Sequence, residues 1–285
     1  MDEHNSFIKK VKIAYKQIER LKGTDRYLAN VLKMPPTQDI ESIEKLVIFI
    51  GSERSGSTIC GSFLDAHPDI VISTEYNLVH QIKRGLSKAQ LCRLMYFNAR
   101  RFKKKGAKWT GYSYDVPALH QGTYKSLKII GDKKANSSAY ILSQNLQEIE
   151  DIEAVFQVPL KMVHMIRHPL DAISTIAQRS LHDLDRAMAF YFRTSQSVQA
   201  IMDHTPERII TLRHEDLCSD PVPTLKALTG FLNIDADDEY YQQCASIIKP
   251  PSKKSRERID WPDDKIEAVR EHIRSFDFLS SYDDF

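Results

Sequence analysis

No stretch of this chain approaches the ~18 consecutive apolar residues that a membrane-spanning helix needs. Its opening, Met1-Asp2-Glu3-His4-Asn5, is polar and acidic and has none of the apolar core of a secretion signal. The reading is therefore a cytoplasmic protein with no membrane partner. Charge of one sign is missing as well, since 40 Lys and Arg stand against 38 Asp and Glu for a net charge of +2. A nucleic-acid binder would show a stronger basic bias, so no nucleic-acid partner is expected. Cysteine is scarce: Cys60, Cys92, Cys218 and Cys244 are far apart and form no C-x-x-C pair. That spacing supplies neither a zinc site nor a disulfide framework, and reduced, mostly buried thiols are expected. Internal repeats and low-complexity tracts are absent too.

What is present is an ordinary globular composition, 42% apolar and 27% charged over 285 residues, enough for one α/β domain. Residues 6–33 carry helical periodicity (Ile8, Val11, Ile13, Ala14, Ile18, Leu21) in a charged background. They predict an N-terminal helical arm, residues 1–40, ahead of a main domain, 41–285. Such an arm would pack on the main body or on a second copy, giving a homodimer. Pro35-Pro36 breaks the pattern.

Continuous apolar runs at 46–50, 70–73, 127–131, 160–166 and 208–212 read as strands buried on both faces. Helical stretches separate them, including a long one at 87–105. Asp220-Pro221 opens a later helix with a capping residue and a proline. Strand–helix alternation predicts a three-layer fold with a central parallel sheet and helical insertions. Ligands of such sheets sit at the carboxyl ends of the strands.

After the first strand comes Gly51-Ser52-Glu53-Arg54-Ser55-Gly56-Ser57-Thr58 and a helix. A strand, a glycine- and serine-rich turn and a helix N-terminus make a phosphate cradle. Gly51 and Gly56 allow close backbone approach, while Arg54 and the hydroxyls of Ser55, Ser57 and Thr58 can donate to anion oxygens. The spacing is that of the P-loop, but Ser57 stands where nucleotide triphosphatases carry lysine.

The stretch Ser52 to Thr58, continuing through Leu64-Asp65-Ala66-His67-Pro68 to a glutamate, resembles the 5′-phosphosulfate loop of sulfotransferases that use 3′-phosphoadenosine 5′-phosphosulfate (PAPS). It is most similar to the tyrosylprotein and bacterial branch. Met165-Ile166-Arg167-His168-Pro169-Leu170-Asp171, followed by Ser174-Thr175, resembles that family's 3′-phosphate segment. Leu212-Arg213-His214-Glu215-Asp216-Leu217 through Asp220-Pro221 and Phe231-Leu232 resembles a third, with His214 in place of the usual tyrosine. The resemblance spans residues 46–232 and implies a P-loop-type fold, PAPS as donor and PAP as product.

Sulfuryl transfer builds negative charge on the leaving oxygen, so the site needs cations, N–H donors and a base, and no metal is expected. Arg54 suits the first task. Gly131-Asp132-Lys133-Lys134 resembles the lysine-bearing strand end of the family, with Lys133 the candidate cation and Lys134 the alternative. Glu75, at the end of the second strand, is the candidate base, next to the loop strand if sequential strands neighbour one another. A desolvated cleft would raise its pKa to suit that work. His120 and His80 are the rival bases.

By resemblance, Arg167 with Thr175 or Ser174 takes the 3′-phosphate, and Lys254, Ser255 and Arg256 belong to a closing loop over the nucleotide. The region 77–124, with Trp109, Tyr112, Tyr114 and Tyr124, would line the acceptor pocket. Arg100, Arg101, Lys103, Lys104, Lys105 and Lys108 form a dense basic run, read as a solvated helix end or a dock for an acidic acceptor. The expected acceptor is a small metabolite bearing a hydroxyl or amine. A P-loop kinase-like phosphotransferase and a catalytically inactive nucleotide-binding module are the rival readings.

Overall fold

The computed structural model describes residues 35–248 and 254–283. The expected arm at 6–33 lies outside the described residues. The short helix α1 (Thr37–Glu41) that follows buries Ile40 in the main core.

The elements then run β1 (Lys45–Ile50), α2 (Ser57–Asp65), β2 (Ile70–Thr74), α3 (Leu78–Ile82), α4 (Lys88–Lys104), β3 (Lys108–Trp109), β4 (Tyr112–Ser113) and β5 (Ile129–Lys133). Next come α5 (Ala135–Gln144), α6 (Glu148–Phe156), β6 (Leu160–Ile166), α7 (Pro169–Ile176), a π-helical turn (Ala177–Leu181), α8 (Leu184–His204) and β7 (Ile209–Arg213). The chain closes with α9 (His214–Ser219), α10 (Pro221–Phe231), α11 (Asp238–Ser246), a 3-10 turn (Ser255–Arg258), α12 (Asp263–Ile273) and a last 3-10 stretch (Asp277–Tyr282). Asp220 precedes α10 as expected but makes no side-chain cap bond.

Among the described residues, β1, β2, β5, β6 and β7 form one parallel sheet in the order β2-β5-β1-β6-β7. Alternate side chains of each strand enter opposite layers, as the period-two geometry of a strand requires. Leu46, Ile48, Ile50, Val71, Ile130, Leu160 and Met162 pack with α3, α4, α5 and α6 residues on one face. Val47, Phe49, Ile70, Ile72, Ile129, Val163 and Met165 pack with α2, α10 and α11 on the other. A third cluster joins α7 and α8 to α12 and the C-terminal turn. This is the three-layer α/β fold expected.

The order differs from expectation in one respect. β2 does not neighbour β1, because β5 returns and inserts between them, pairing Leu46 with Ile130 and Val71 with Ile130. Gly131 makes that position habitable: a Cβ there would lie 2.3 Å from the Val47 carbonyl oxygen and 2.7 Å from Ile72 Cδ1. The carboxyl ends of all five strands share one edge, and β1 sits where excursions to either side diverge, the place where such sheets bind ligands. Among the described residues, no helix is long and apolar enough to cross a membrane.

Gly131→Ala should destabilise the protein by about 3 kcal/mol through overpacking against strand backbone, measured as a lowered urea midpoint at constant m-value. A loss below roughly 0.5 kcal/mol, the scale of a neutral surface change, would contradict the close approach.

Candidate active site

Gly51 and Gly56 bracket the turn after β1 with φ of 119° and 96°. A Cβ at Gly51 would sit 2.7 Å from His164 Cδ2, and one at Gly56 would sit 2.6 Å from His214 Nδ1. His214 therefore packs against the loop at Gly56 and buttresses the turn. Burial, then the Arg167 charge, holds its imidazole well below the usual range, so it supports the loop as a neutral ring.

Ser55 Oγ donates to Ser52 O at 2.7 Å, a bond that closes the loop. Gly56 caps α2 in the left-handed conformation, and Ser57 and Thr58 are its first residues. The amides that open a helix have no carbonyl of their own helix to bond. Inside the turn, Ser52 Oγ and Arg54 Nε are buried without a partner among the described residues. Buried donors of this kind need an acceptor, and an anion seated in the cradle would supply it.

Across β5, the Glu75 carboxylate bridges the ammonium groups of Lys133 and Lys134. The Lys133 side chain is 3% exposed. It runs beside Gly61 of α2, whose missing Cβ would lie 3.3 Å from Lys133 Cβ and Cγ. Burial pushes the Glu75 carboxyl up, but the Lys133 charge and the bonds from both lysines outweigh it and hold the group below its usual value. The expectation of a raised pKa is corrected: burial is there, and two cations overcome it. Burial draws Lys133 down against the pull of Glu75. His80 is exposed on α3, and His120 gives its amide to Ala66 O at 3.0 Å; neither bonds Glu75.

Two buried acids escaped the sequence reading. Asp132 accepts from Ser73 Oγ at 2.7 Å, Tyr76 N at 3.1 Å and Leu78 N at 2.9 Å, and so pins the turn that carries Glu75. Asp65 accepts from Ile72 N and Gly122 N, both at 2.9 Å, tying β2 to the end of the long insertion. Burial raises the Asp65 pKa to about 7. An aspartate inside an otherwise apolar buried strand was the available signal for Asp132, since such a group is seldom buried without partners.

On the other side of β1, Arg167 donates to Arg54 O at 3.3 Å and to Ser255 Oγ at 3.1 Å. The loop, the segment after β6 and the closing segment thus meet at one guanidinium. Arg256 is engaged differently: its amide and guanidinium both bond the buried Asp171, at 2.8 and 3.3 Å. Lys254 is exposed, and residues 249–253 of the closing segment lie outside the described residues.

Ser174 is fully buried and accepts from Trp261 Nε1 at 3.0 Å. Thr175 stays half-buried, its hydroxyl resting on Asp171 O at 2.8 Å. Beneath Arg167, Glu215 accepts from His168 N at 2.9 Å and from the Tyr282 hydroxyl at 2.5 Å.

On the acceptor side, Trp109 is 40% exposed, and its ring centroid lies 5.8 Å from Lys133 Nζ. Tyr112 stands exposed on the same hairpin, with Tyr114 half-buried after it. Tyr124 does not belong there: its hydroxyl donates to Asp39 Oδ2 at 2.7 Å and its ring packs edge-on against Tyr96 in the main core. The basic run is divided. Arg100 lies over the Tyr96 ring, Lys103 pairs with Asp115 at 2.7 Å, and Lys104, Lys105 and Lys108 are exposed.

The arrangement offers an anion cradle, a buried ammonium beside it, a carboxylate on that ammonium and an aromatic face above. Among the described residues, no cluster of His, Cys, Asp or Glu could hold a metal ion. A sequence profile described as Sulfotransferase family matches residues 47–238, more than half of the chain. No curated protein matches by sequence. Among solved structures, the sulfotransferase domain of the Synechococcus PCC 7002 olefin synthase is similar at 17% identity and a TM-score of 0.49, over 82% of this chain and 96% of that one. Sulfotransferase STF9 from Mycobacterium avium is similar at 13% identity and 0.46, over 90% and 82%. Mouse sulfotransferase SULT7A1, solved with PAP, is similar at 12% identity and 0.47, over 87% and 92%.

Glu75→Gln leaves the buried Lys133 without its counter-charge and should cost about 3 kcal/mol at pH 7. Adding Lys133→Met should recover most of that loss in a urea double-mutant cycle. Because the folded pKa of Glu75 is depressed, its contribution is present above the usual 4.5 and is lost as pH falls through the folded value. The gap between wild type and Glu75→Gln should close over that acidic window. Equal stabilities at pH 7 would show that the pair carries no weight.

Proposed function

The chain belongs to the sulfotransferase family, and from that premise we propose that it transfers a sulfuryl group from PAPS to a hydroxyl or amine of a small metabolite, with Glu75 as base and without a metal. The observation that carries this reading is the convergence, on one sheet edge, of the partnerless Ser52 Oγ and Arg54 Nε with the Glu75–Lys133 pair. PAPS, when bound, supplies a sulfuryl group whose transfer leaves PAP.

The loop amides and Arg54 hold the 5′ end in this reading, and Arg167 and Thr175 hold the 3′-phosphate, with Lys254 and Ser255 alongside. Arg167 suits an anion because its bonds go to a carbonyl and a hydroxyl, leaving its charge without a carboxylate partner among the described residues. Arg256 is held by Asp171 and acts by fixing the closing segment.

Lys133 stabilises charge developing on the leaving oxygen. An ammonium turned to that task leaves Glu75 with Lys134 alone, and the carboxylate then regains basicity as it receives the acceptor proton. Trp109, within reach of Lys133, supports a compact acceptor held against an aromatic face. A kinase-like reading is not favoured, because Ser57 occupies the position of the lysine that neutralises nucleotide phosphates.

PAP should raise the melting temperature well above the shift given by AMP or ADP at equal concentration, since stabilisation follows affinity. Arg167→Ala should weaken PAP binding by roughly 2–3 kcal/mol, the scale of a charge-assisted contact. Equal shifts from all three nucleotides would sink the donor assignment.

With an acceptor found by screening for the mass gain of a sulfuryl group, Glu75→Gln should lower kcat by about 10²–10⁴-fold. It should keep its PAP-induced shift, and wild-type turnover should persist in excess EDTA. Near-normal turnover of Glu75→Gln would pass the role of base to another group, and loss of activity in EDTA with rescue by Mg²⁺ would favour metal-dependent chemistry.

A further inference from the structure

The β3–β4 hairpin has little of its own to hold it in place. Lys108, Trp109, Tyr112 and Ser113 are all exposed, and an isolated two-strand ribbon is marginal in water. Its turn residues Thr110 and Gly111 both have positive φ, 49° and 84°, the geometry of a tight hairpin connection.

An outside group grips that turn. Arg179 donates from Nη1 to Thr110 O at 3.0 Å and from Nη2 to the Tyr112 hydroxyl at 3.1 Å, and its Cζ lies 5.1 Å from the Tyr112 ring centroid. Two directed bonds and a cation–π contact fix a planar guanidinium far better than a single surface ion pair would. Arg179 comes from the π-helical turn Ala177–Leu181, which continues directly from α7, and π-turns are frequent at functional positions. The same hairpin sets Trp109 beside the buried Lys133. One part of it is therefore tied to the helix that follows Arg167, and another covers the lysine bonded to Glu75.

We propose that Arg179 is a positioning residue that latches this hairpin across the cleft, holding Trp109 over Lys133 and keeping water from the Lys133–Glu75 centre. The proposal rests on the sulfuryl-transfer reading of that centre. Without the cover, water can take the acceptor's place. Its oxygen then forms the new bond to sulfur as the bridging S–O bond breaks. The electron pair stays on the 5′-phosphate oxygen of PAP, and sulfate and both protons of the water are released to solvent. Exclusion of water is a recognised duty of closing elements in transferases.

The test uses the full chain with PAPS and no acceptor. Arg179→Met should speed PAP release about tenfold as water gains entry, with the PAP-induced melting shift preserved. Acrylamide quenching of tryptophan should rise about twofold as the hairpin loosens. That rise should vanish in Arg179→Met/Trp109→Phe, which assigns it to Trp109 rather than Trp261. Tyr112→Phe, which removes one of the two bonds, should fall between, and Arg179→Lys should restore part of the protection.

Unchanged quenching in Arg179→Met overturns the latch. Increased quenching without faster PAP release overturns the shielding role. Failure of PAP to stabilise even the wild type would refute the donor reading instead, and quenching would still decide the latch.

Discussion

An ammonium group as buried as that of Lys133 cannot stand alone in the interior, because an isolated charge there costs several kcal/mol. Glu75 answers it, and the pairing fixes more than charge. The Glu75 amide donates to Lys133 O at 2.9 Å, so backbone and side chain join the ends of β2 and β5 together. This junction requires β5 to lie against β2. That in turn requires Gly131 at the crossing with Val47 and Ile72, and Gly61 where the Lys133 stem passes α2. Substitution of either glycine would move the lysine, and with it the carboxylate. The sheet order and the site chemistry are thus one constraint.

The donor side is built on the opposite principle. Glu75 is satisfied twice over by cations, whereas among the described residues Arg167 bonds a carbonyl and a hydroxyl. Carboxylates are present in the neighbourhood but are directed elsewhere: Asp171 to Arg256, and Glu215 to His168 N and Tyr282. These acids bond groups on either side of Arg167 rather than its guanidinium. A guanidinium whose neighbouring acids are engaged by other partners suits a site that receives an anion.

Much of this was legible in the sequence, for local reasons. The apolar run before Gly51 announced a buried parallel strand, and the glycine spacing with its hydroxyls announced the cradle. What the sequence concealed were features decided by distant residues. The bond between Ser174 and Trp261 joins positions 87 apart, and no local pattern announces it. Arg179 gave no local signal, since its partners Thr110 and Tyr112 lie 69 and 67 positions away. Tyr124 looked like a pocket aromatic by proximity in sequence, yet Asp39 and Tyr96 draw it into the core. The depressed pKa of Glu75 depends on two lysines approaching together, and burial alone, the one effect a sequence suggests, points the wrong way.

Backbone strain is found at the site as well as elsewhere in the chain. Arg54, Glu75 and Asn77 adopt positive φ of 67°, 61° and 63° without being glycine. Residues held in such sparsely populated conformations cost of order 1–3 kcal/mol each and persist only where their surroundings over-determine them. Each is over-determined here. Asp132 bonds the amides of Tyr76 and Leu78 on either side of Asn77, while Ser137 Oγ donates to Asn77 Oδ1 at 3.1 Å. Glu75 is held through its amide and both carboxylate oxygens. Arg54 is held through its carbonyl by Arg167, yet its Nε has no partner among the described residues. Of these three, Arg54 alone keeps a buried donor without a partner among the described residues, and it sits in the cradle. An anion bound at that donor would satisfy the buried group, and its binding energy would offset the cost of the strained backbone beside it.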